Sequence, residues 1–99
     1  MDSGKIVPGQ IVRSKVGRDS DRYFVVVGVL NNDYVLVSDG DLRKIDKPKK
    51  KKIKHVVAQN IIVQELRSKI ETGLKISNNE IKNSLRQLGL THQSNNKEV

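Results

Sequence analysis

Tyr23-Phe24-Val25-Val26-Val27-Gly28-Val29-Leu30 is the stretch whose reading decides the fold. Aromatic and β-branched residues fill it almost end to end, the composition that a pleated, packed surface favours. Asn31-Asn32-Asp33 follows, residues that form turns and tolerate a left-handed backbone. Tyr34-Val35-Leu36-Val37 then offers a partner strand, so the segment predicts a β-hairpin. Gly28 interrupts the first strand, where a barrel corner or a β-bulge is expected.

Upstream of the hairpin, Gln10 to Val16 reads as a short strand, Gly17 interrupts it and Arg18 to Arg22 is a polar loop. Residues 1–8 carry no periodic signal and run into the turn dipeptide Pro8-Gly9, so they are expected to be a flexible lead-in. Downstream, Ser38-Asp39-Gly40-Asp41 turns the chain, a strand is expected around Leu42 to Ile45, then a lysine-rich loop, then a last strand around Ile53 to Val57. Five short strands within about 50 residues predict a mainly β fold. A small closed or nearly closed five-stranded barrel would remove the exposed edges of an open sheet.

After Val57 the periodicity becomes helical. Ile62, Leu66 and Ile70 form an amphipathic stripe within residues 61–72, which Gly73 ends. Ser77-Asn78-Asn79-Glu80 is a capping box opening a second helix at 78–88, with Ile81, Leu85 and Leu88 on one face and Gly89 behind it. Residues 58–90 therefore form a helical extension of two short C-terminal α-helices. Residues 91–99 are polar and expected to be disordered.

The 99 residues suffice for one small domain, and with 35% hydrophobic residues its core must come from Val, Ile and Leu. There is no cysteine, which excludes disulfides and Cys-ligated zinc and fits a reducing compartment. No apolar run approaches the roughly 20 residues of a membrane span. A soluble, cytoplasmic monomer with no membrane attachment is expected.

Charge is concentrated. Residues 43–54, RKIDKPKKKKIK, hold eight basic side chains against one Asp, +7 of the chain's formal +8. A fixed positive field of this kind attracts polyanions and releases their counterions. Residues 17–22, GRDSDR, add two arginines whose forks suit phosphate oxygens, unless they pair with Asp19 and Asp21 beside them. Two rival readings of the lysine run stay open: a solvated charged loop, and a nuclear localisation signal over Pro48 to Lys54. Catalysis has no support, since His55 and His92 sit in no recognisable motif, and Asp39-Gly40-Asp41 lacks the carboxylate pattern of a calcium loop and reads as a turn.

Gly9-Gln10-Ile11-Val12, Gly17-Arg18-Asp19, a hydrophobic strand closing on Gly28, and Asn31 to Val37 together resemble the KOW motif of ribosomal proteins and transcription elongation factors. The continuation Asp39-Gly40-Asp41-Leu42-Arg43, the basic loop and Lys54-His55-Val56 are most similar to one branch. That branch comprises the e-type large-subunit ribosomal proteins numbered six, fourteen and twenty-seven and their small bacterial RNA-binding relatives. The likeness spans residues 9–57 and implies an SH3-like β-barrel that binds ribosomal RNA, acts in translation and has no enzymatic activity. The family often has glycine where Asp21 stands.

Carried onto this chain, the resemblance implies RNA contacts from two segments. The first is the loop Gly17 to Arg22, beside which Arg13, Lys15, Arg18, Arg22 and Tyr23 are the candidate contacts; Tyr23 either stacks on an unpaired base or is a barrel residue with its hydroxyl at the surface. The second runs from Arg43 to His55 and supplies Arg43, Lys44, Lys47, Lys49, Lys50, Lys51, Lys52, Lys54 and His55. Contacts of this type are mainly to phosphate, so RNA shape should matter more than base sequence. No cofactor or metal is expected. Two further readings are a protein-interaction adaptor, working through the barrel and through the apolar stripes of the helices unless these pack on their own barrel, as is expected first, and a KOW module acting in transcription.

Overall fold

A computed structural model of the protein describes residues 5–91. Its elements are β1 (Gln10–Ser14), β2 (Tyr23–Val29), β3 (Tyr34–Ser38), β4 (Lys49–Lys52), a 3-10 turn at Ile53–His55, β5 (Val56–Ile62), α1 (Gln64–Glu71) and α2 (Asn78–Gln87). The strands form one antiparallel sheet in the order β4-β3-β2-β1-β5. Val12, Phe24, Val26, Val35, Val37 and Val56 converge on one inner core, joined by Ile6 and flanked by Ile53. Residues from four strands share that core, so the sheet curls on itself and the fold is mainly β and barrel-like.

The second core explains why β2 is hydrophobic on both faces. Ile11 and Val25 point to the outer side of the sheet, where Leu66 of α1 and Ile81 and Leu85 of α2 cover them. Strands normally alternate apolar and polar residues when one face meets water, and β2 does not because from Phe24 to Val26 both of its faces are buried. Leu66, Ile81 and Leu85 of the helical stripes are thus occupied by the protein's own sheet, while Leu88 stays exposed. Ile61 and Ile62 belong to β5, not to the first helix, which begins only at Gln64.

Several local signals act as their chemistry predicts. The Glu80 backbone N–H donates to Ser77 Oγ at 3.1 Å and the Ser77 N–H donates to Glu80 Oε2 at 3.0 Å, completing the capping box. Gly73 and Gly89 end the helices at φ 79° and 74°, and the backbone N–H groups of Leu74 and Leu90 close back on Lys69 and Leu85. Glu80 also binds Lys69 at 2.6 Å, linking α2 to α1. The Lys69 ammonium holds the Glu80 carboxyl below its ordinary range, and Glu80 in turn raises Lys69. Glu80's contribution is therefore full above the ordinary carboxylate range and fades as pH falls through the lowered pKa. That of Lys69 is full below the ordinary lysine range and fades as pH rises through the raised pKa.

Three expectations are corrected. No strand forms at 42–45, because the backbone groups there are engaged by the turn before them and by Asn78 of α2. Asp39 Oδ1 accepts from the N–H groups of Asp41 and Arg43, while Ser38 Oγ accepts from Gly40 N–H and donates to the Arg43 carbonyl. The same bonds make Asp39-Gly40-Asp41 a turn, with one Asp39 oxygen turned to backbone. The fourth strand is instead the lysine run itself, Lys49 to Lys52, laddered on Val37 to Tyr34. The last strand starts after the 3-10 turn and extends to Ile62, past the expected end of the barrel at 57.

Within the expected lead-in, Ile6 is buried in the inner core and Val7 N–H donates to Gln10 Oε1. Residues 1–4 of that lead-in and 92–99 of the expected disordered tail lie outside the described residues. Gly28 sits at a register shift between β2 and β3, the expected bulge. A Cβ there would meet Leu36 Cδ1 at 3.4 Å, ordinary contact, so sterics do not demand glycine.

Because β1 and β2 serve both cores, barrel and helices should unfold together. Ile81→Ala is expected to cost about 2–4 kcal/mol and to shift a single cooperative urea transition. A barrel signal that keeps its wild-type midpoint while helicity melts separately would contradict this.

Candidate nucleic-acid interface

Four consecutive lysines in a strand cannot all face one way. Side chains alternate along β4, and the register sets Lys51 opposite Val35 and Lys49 opposite Val37, both buried valines of the inner core. Lys50 and Lys52 therefore face outward with Tyr34 and Leu36, and both are exposed. Lys51 faces inward, where its stem packs at the core margin and its ammonium meets polar partners.

Those partners come from the β1–β2 loop. Lys51 Nζ donates to Ser14 Oγ at 3.0 Å and lies 3.7 Å from Asp19 Oδ2, with the side chains of Lys51 and Asp19 each only 9% exposed. Arg43 Nη2 donates to the same Asp19 oxygen at 3.3 Å. Asp19 thus ties together the loop after β1, the loop after β3 and β4. Arg43 Nε is buried without a partner, so only part of its fork is used.

Lys51 and Arg43, both expected to contact RNA, are therefore committed to an internal carboxylate, and Lys51 is buried besides. Arg13 is also engaged, Nη1 to Asp21 Oδ1 at 3.1 Å, in an exposed pair of the kind worth little in water. The arginines expected to pair inside the loop, Arg18 and Arg22, are not the ones that bind Asp19 and Asp21. Arg18 is exposed and makes no ion pair with a described residue.

Arg22 and Tyr23 lie elsewhere. Both line a groove of about 300 Å³ against α2, with Asp39, Asp41, Lys82 and Arg86 on its walls. Tyr23 is half-buried and packs on the outer-face core, away from the lysine strand. The remaining expected residues form an exposed or half-exposed cationic arc. Lys44 and Lys47 stand on the loop before β4, Lys49 is half-buried, and Lys54 and His55 occupy the 3-10 turn. Lys15 joins them, since its backbone N–H donates to the His55 carbonyl at 2.8 Å.

One aromatic escaped the sequence reading. Tyr34 sits directly across the ladder from Lys52, and Lys50 Nζ stands 4.6 Å above the centre of its ring. Its pattern was that of an ordinary strand residue, and only the pairing of β3 with the lysine run reveals its neighbours. Among the described residues there is no group of three or more His, Asp or Glu side chains placed to hold a metal ion, and no helix is long and apolar enough to cross a membrane.

Asp21 holds a left-handed backbone, φ 69°, the conformation in which a Cβ crowds the carbonyl. Asp21→Gly should therefore keep stability within about 1 kcal/mol of wild type, whereas Asp21→Val should cost about 1–2 kcal/mol. Urea denaturation of the two variants checks this, and equal stability of the valine variant and wild type would contradict it. No protein-family model and no curated protein matches the chain.

Proposed function

We propose that the protein binds structured RNA, with ribosomal RNA in the cytoplasm as its target, and that it acts as a rigid basic platform and not as an enzyme. The observation that carries the reading is the lysine run's place in a paired strand. Lys50 and Lys52 are held at fixed spacing on an exposed face instead of dispersing on a floppy loop. A flexible lysine loses rotamer freedom on contact with phosphate, and an ordered strand has already lost its backbone freedom. Lys54 in the following turn and Lys15, whose backbone is bonded to His55, extend the cationic surface, and Arg18, Lys44 and Lys47 are exposed on the loops that flank it.

The resemblance to the KOW branch supports the same reading. Its pattern has glycine at the position of Asp21, and the left-handed backbone there is one that glycine adopts freely. The adaptor reading loses part of its support, because Leu66, Ile81 and Leu85 of the helical stripes pack with Ile11 and Val25, while Leu88 stays exposed. A second reading is favoured by one observation: β4 is an edge strand, and lysines on an edge prevent sheets from adding to one another.

Salt dependence separates the two. If about five phosphates are neutralised, log affinity for a structured ribosomal RNA fragment should fall against log salt with a slope of roughly −3 to −5, measured by fluorescence anisotropy. Binding that is absent, or that barely changes between low and moderate salt, would contradict RNA binding and leave the lysines as edge guards. Equal affinity for duplex DNA of the same length would point to the transcriptional alternative.

A further inference from the structure

Where the turn before β3 meets the end of β4, a groove of about 410 Å³ is lined by Asn32, Asp33, Tyr34, Lys52, Ile53 and Lys54. We propose that this groove is a subsite for one unpaired nucleotide, its base stacked on Tyr34 and its flanking phosphates held by Lys52 and Lys54. The inference rests on the RNA-binding reading and adds to it a place where a base, and not only the backbone, is contacted.

Three features point there. First, Tyr34 is partly exposed and shares its strand face with the two exposed lysines Lys50 and Lys52, whereas Tyr23, also partly exposed, packs on the outer-face core. Lys50 Nζ already lies over the centre of the Tyr34 ring, a cation–π contact, so a base stacking on that face takes the ammonium's place and leaves it free for phosphate. Aromatic platforms beside cationic grooves bind single-stranded nucleic acid because every base has a face to stack.

Second, the platform is rigid before anything binds. Asn31 Oδ1 accepts from the backbone N–H groups of Asp33 and Tyr34 at 2.8 and 2.9 Å. The Asp33 carbonyl accepts from Ile53 N–H at 2.7 Å, fastening the turn to the end of the lysine strand. A base stacking on Tyr34 therefore has no turn to order, which lowers the entropic cost of binding.

Third, the charges in the groove are arranged asymmetrically. Lys52 and Lys54 make no ion pair with a described residue and suit phosphate. Asp33 lines the same groove and repels phosphate from its side, but a carboxylate accepts from the N–H groups on the edge of a base. The cations and the acid thus fit the two ends of one nucleotide.

The test uses the full chain with Tyr23→Phe, which leaves Tyr34 as the single tyrosine of a protein that has no tryptophan. Titration with a ten-nucleotide single-stranded RNA of mixed sequence should quench its tyrosine emission, and heparin, a polyanion without bases, should not. In the otherwise wild-type chain, Tyr34→Ala should weaken the single strand by about fivefold to a hundredfold while heparin binding stays within about twofold, and Tyr34→Phe should bind as wild type. Absence of quenching, or equal losses for RNA and heparin in Tyr34→Ala, would overturn the subsite. Salt-sensitive RNA binding unaffected by Tyr34→Ala would overturn the subsite alone, whereas failure of wild type to bind any RNA would overturn the RNA reading with it.

Discussion

The carboxylate of Asp19 is the constraint on which the basic surface depends. It is nearly buried, and an ion in that position is tolerable only when its charge is met by partners. Lys51 comes from one strand and Arg43 from the loop before it, so satisfying Asp19 fixes the relative positions of three segments that share no backbone ladder around it. The arrangement turns a run of like charges, which would otherwise repel its way into extended loop, into a strand with one member neutralised. Ser14, fully buried in β1, completes the set by accepting from Lys51 and donating to the Val16 carbonyl.

From that anchor the rest of the molecule divides by face. The inner face of the sheet is a valine-rich core closed at one margin by Lys51. The outer face is divided between two tenants: over β1 and β2 the helices lie on Ile11 and Val25, and over β3 and β4 Tyr34, Lys50 and Lys52 meet solvent. Close docking of α2 reinforces the division. A Cβ on Gly40 would run into the Asn78 carbonyl and come within 2.9 Å of Lys82 Cγ, and Asn78 Oδ1 accepts from Ile45 N–H at 2.7 Å. The helices thus brace the loop that carries Arg43, which connects their packing to the anchor at Asp19.

What was legible in the chain was whatever local chemistry decides. The Tyr23–Val37 hairpin, the capping box at Ser77 and Glu80, and the helix ends at Gly73 and Gly89 depend on neighbours a few residues away, and each has a residue-type signature. Long-range demand decided the rest. Lysines have low strand propensity, but the open edge of β3 needed a partner and the loop at 39–43 had already used its own backbone groups. Tertiary pairing overrode propensity. The same applies to the candidate site: the concentration of charge was plain, while the split into a buried Lys51 and exposed Lys50 and Lys52 follows from a register that composition cannot reveal. Ile6 looked idle for the same reason, since its core is built from strands it is not part of.

The division of labour within the lysine strand can be measured by comparing Lys51→Met with Lys52→Met, reading stability by urea unfolding and affinity by anisotropy with one structured RNA. Losing the partner of a buried carboxylate and of Ser14 should cost Lys51→Met on the order of 2 kcal/mol of stability. Lys52→Met should unfold as wild type but bind RNA more weakly, with a salt slope reduced by about one. Two variants with the same stability and the same loss of affinity would contradict the account, because the four lysines would then be interchangeable surface charges and Asp19 would anchor nothing.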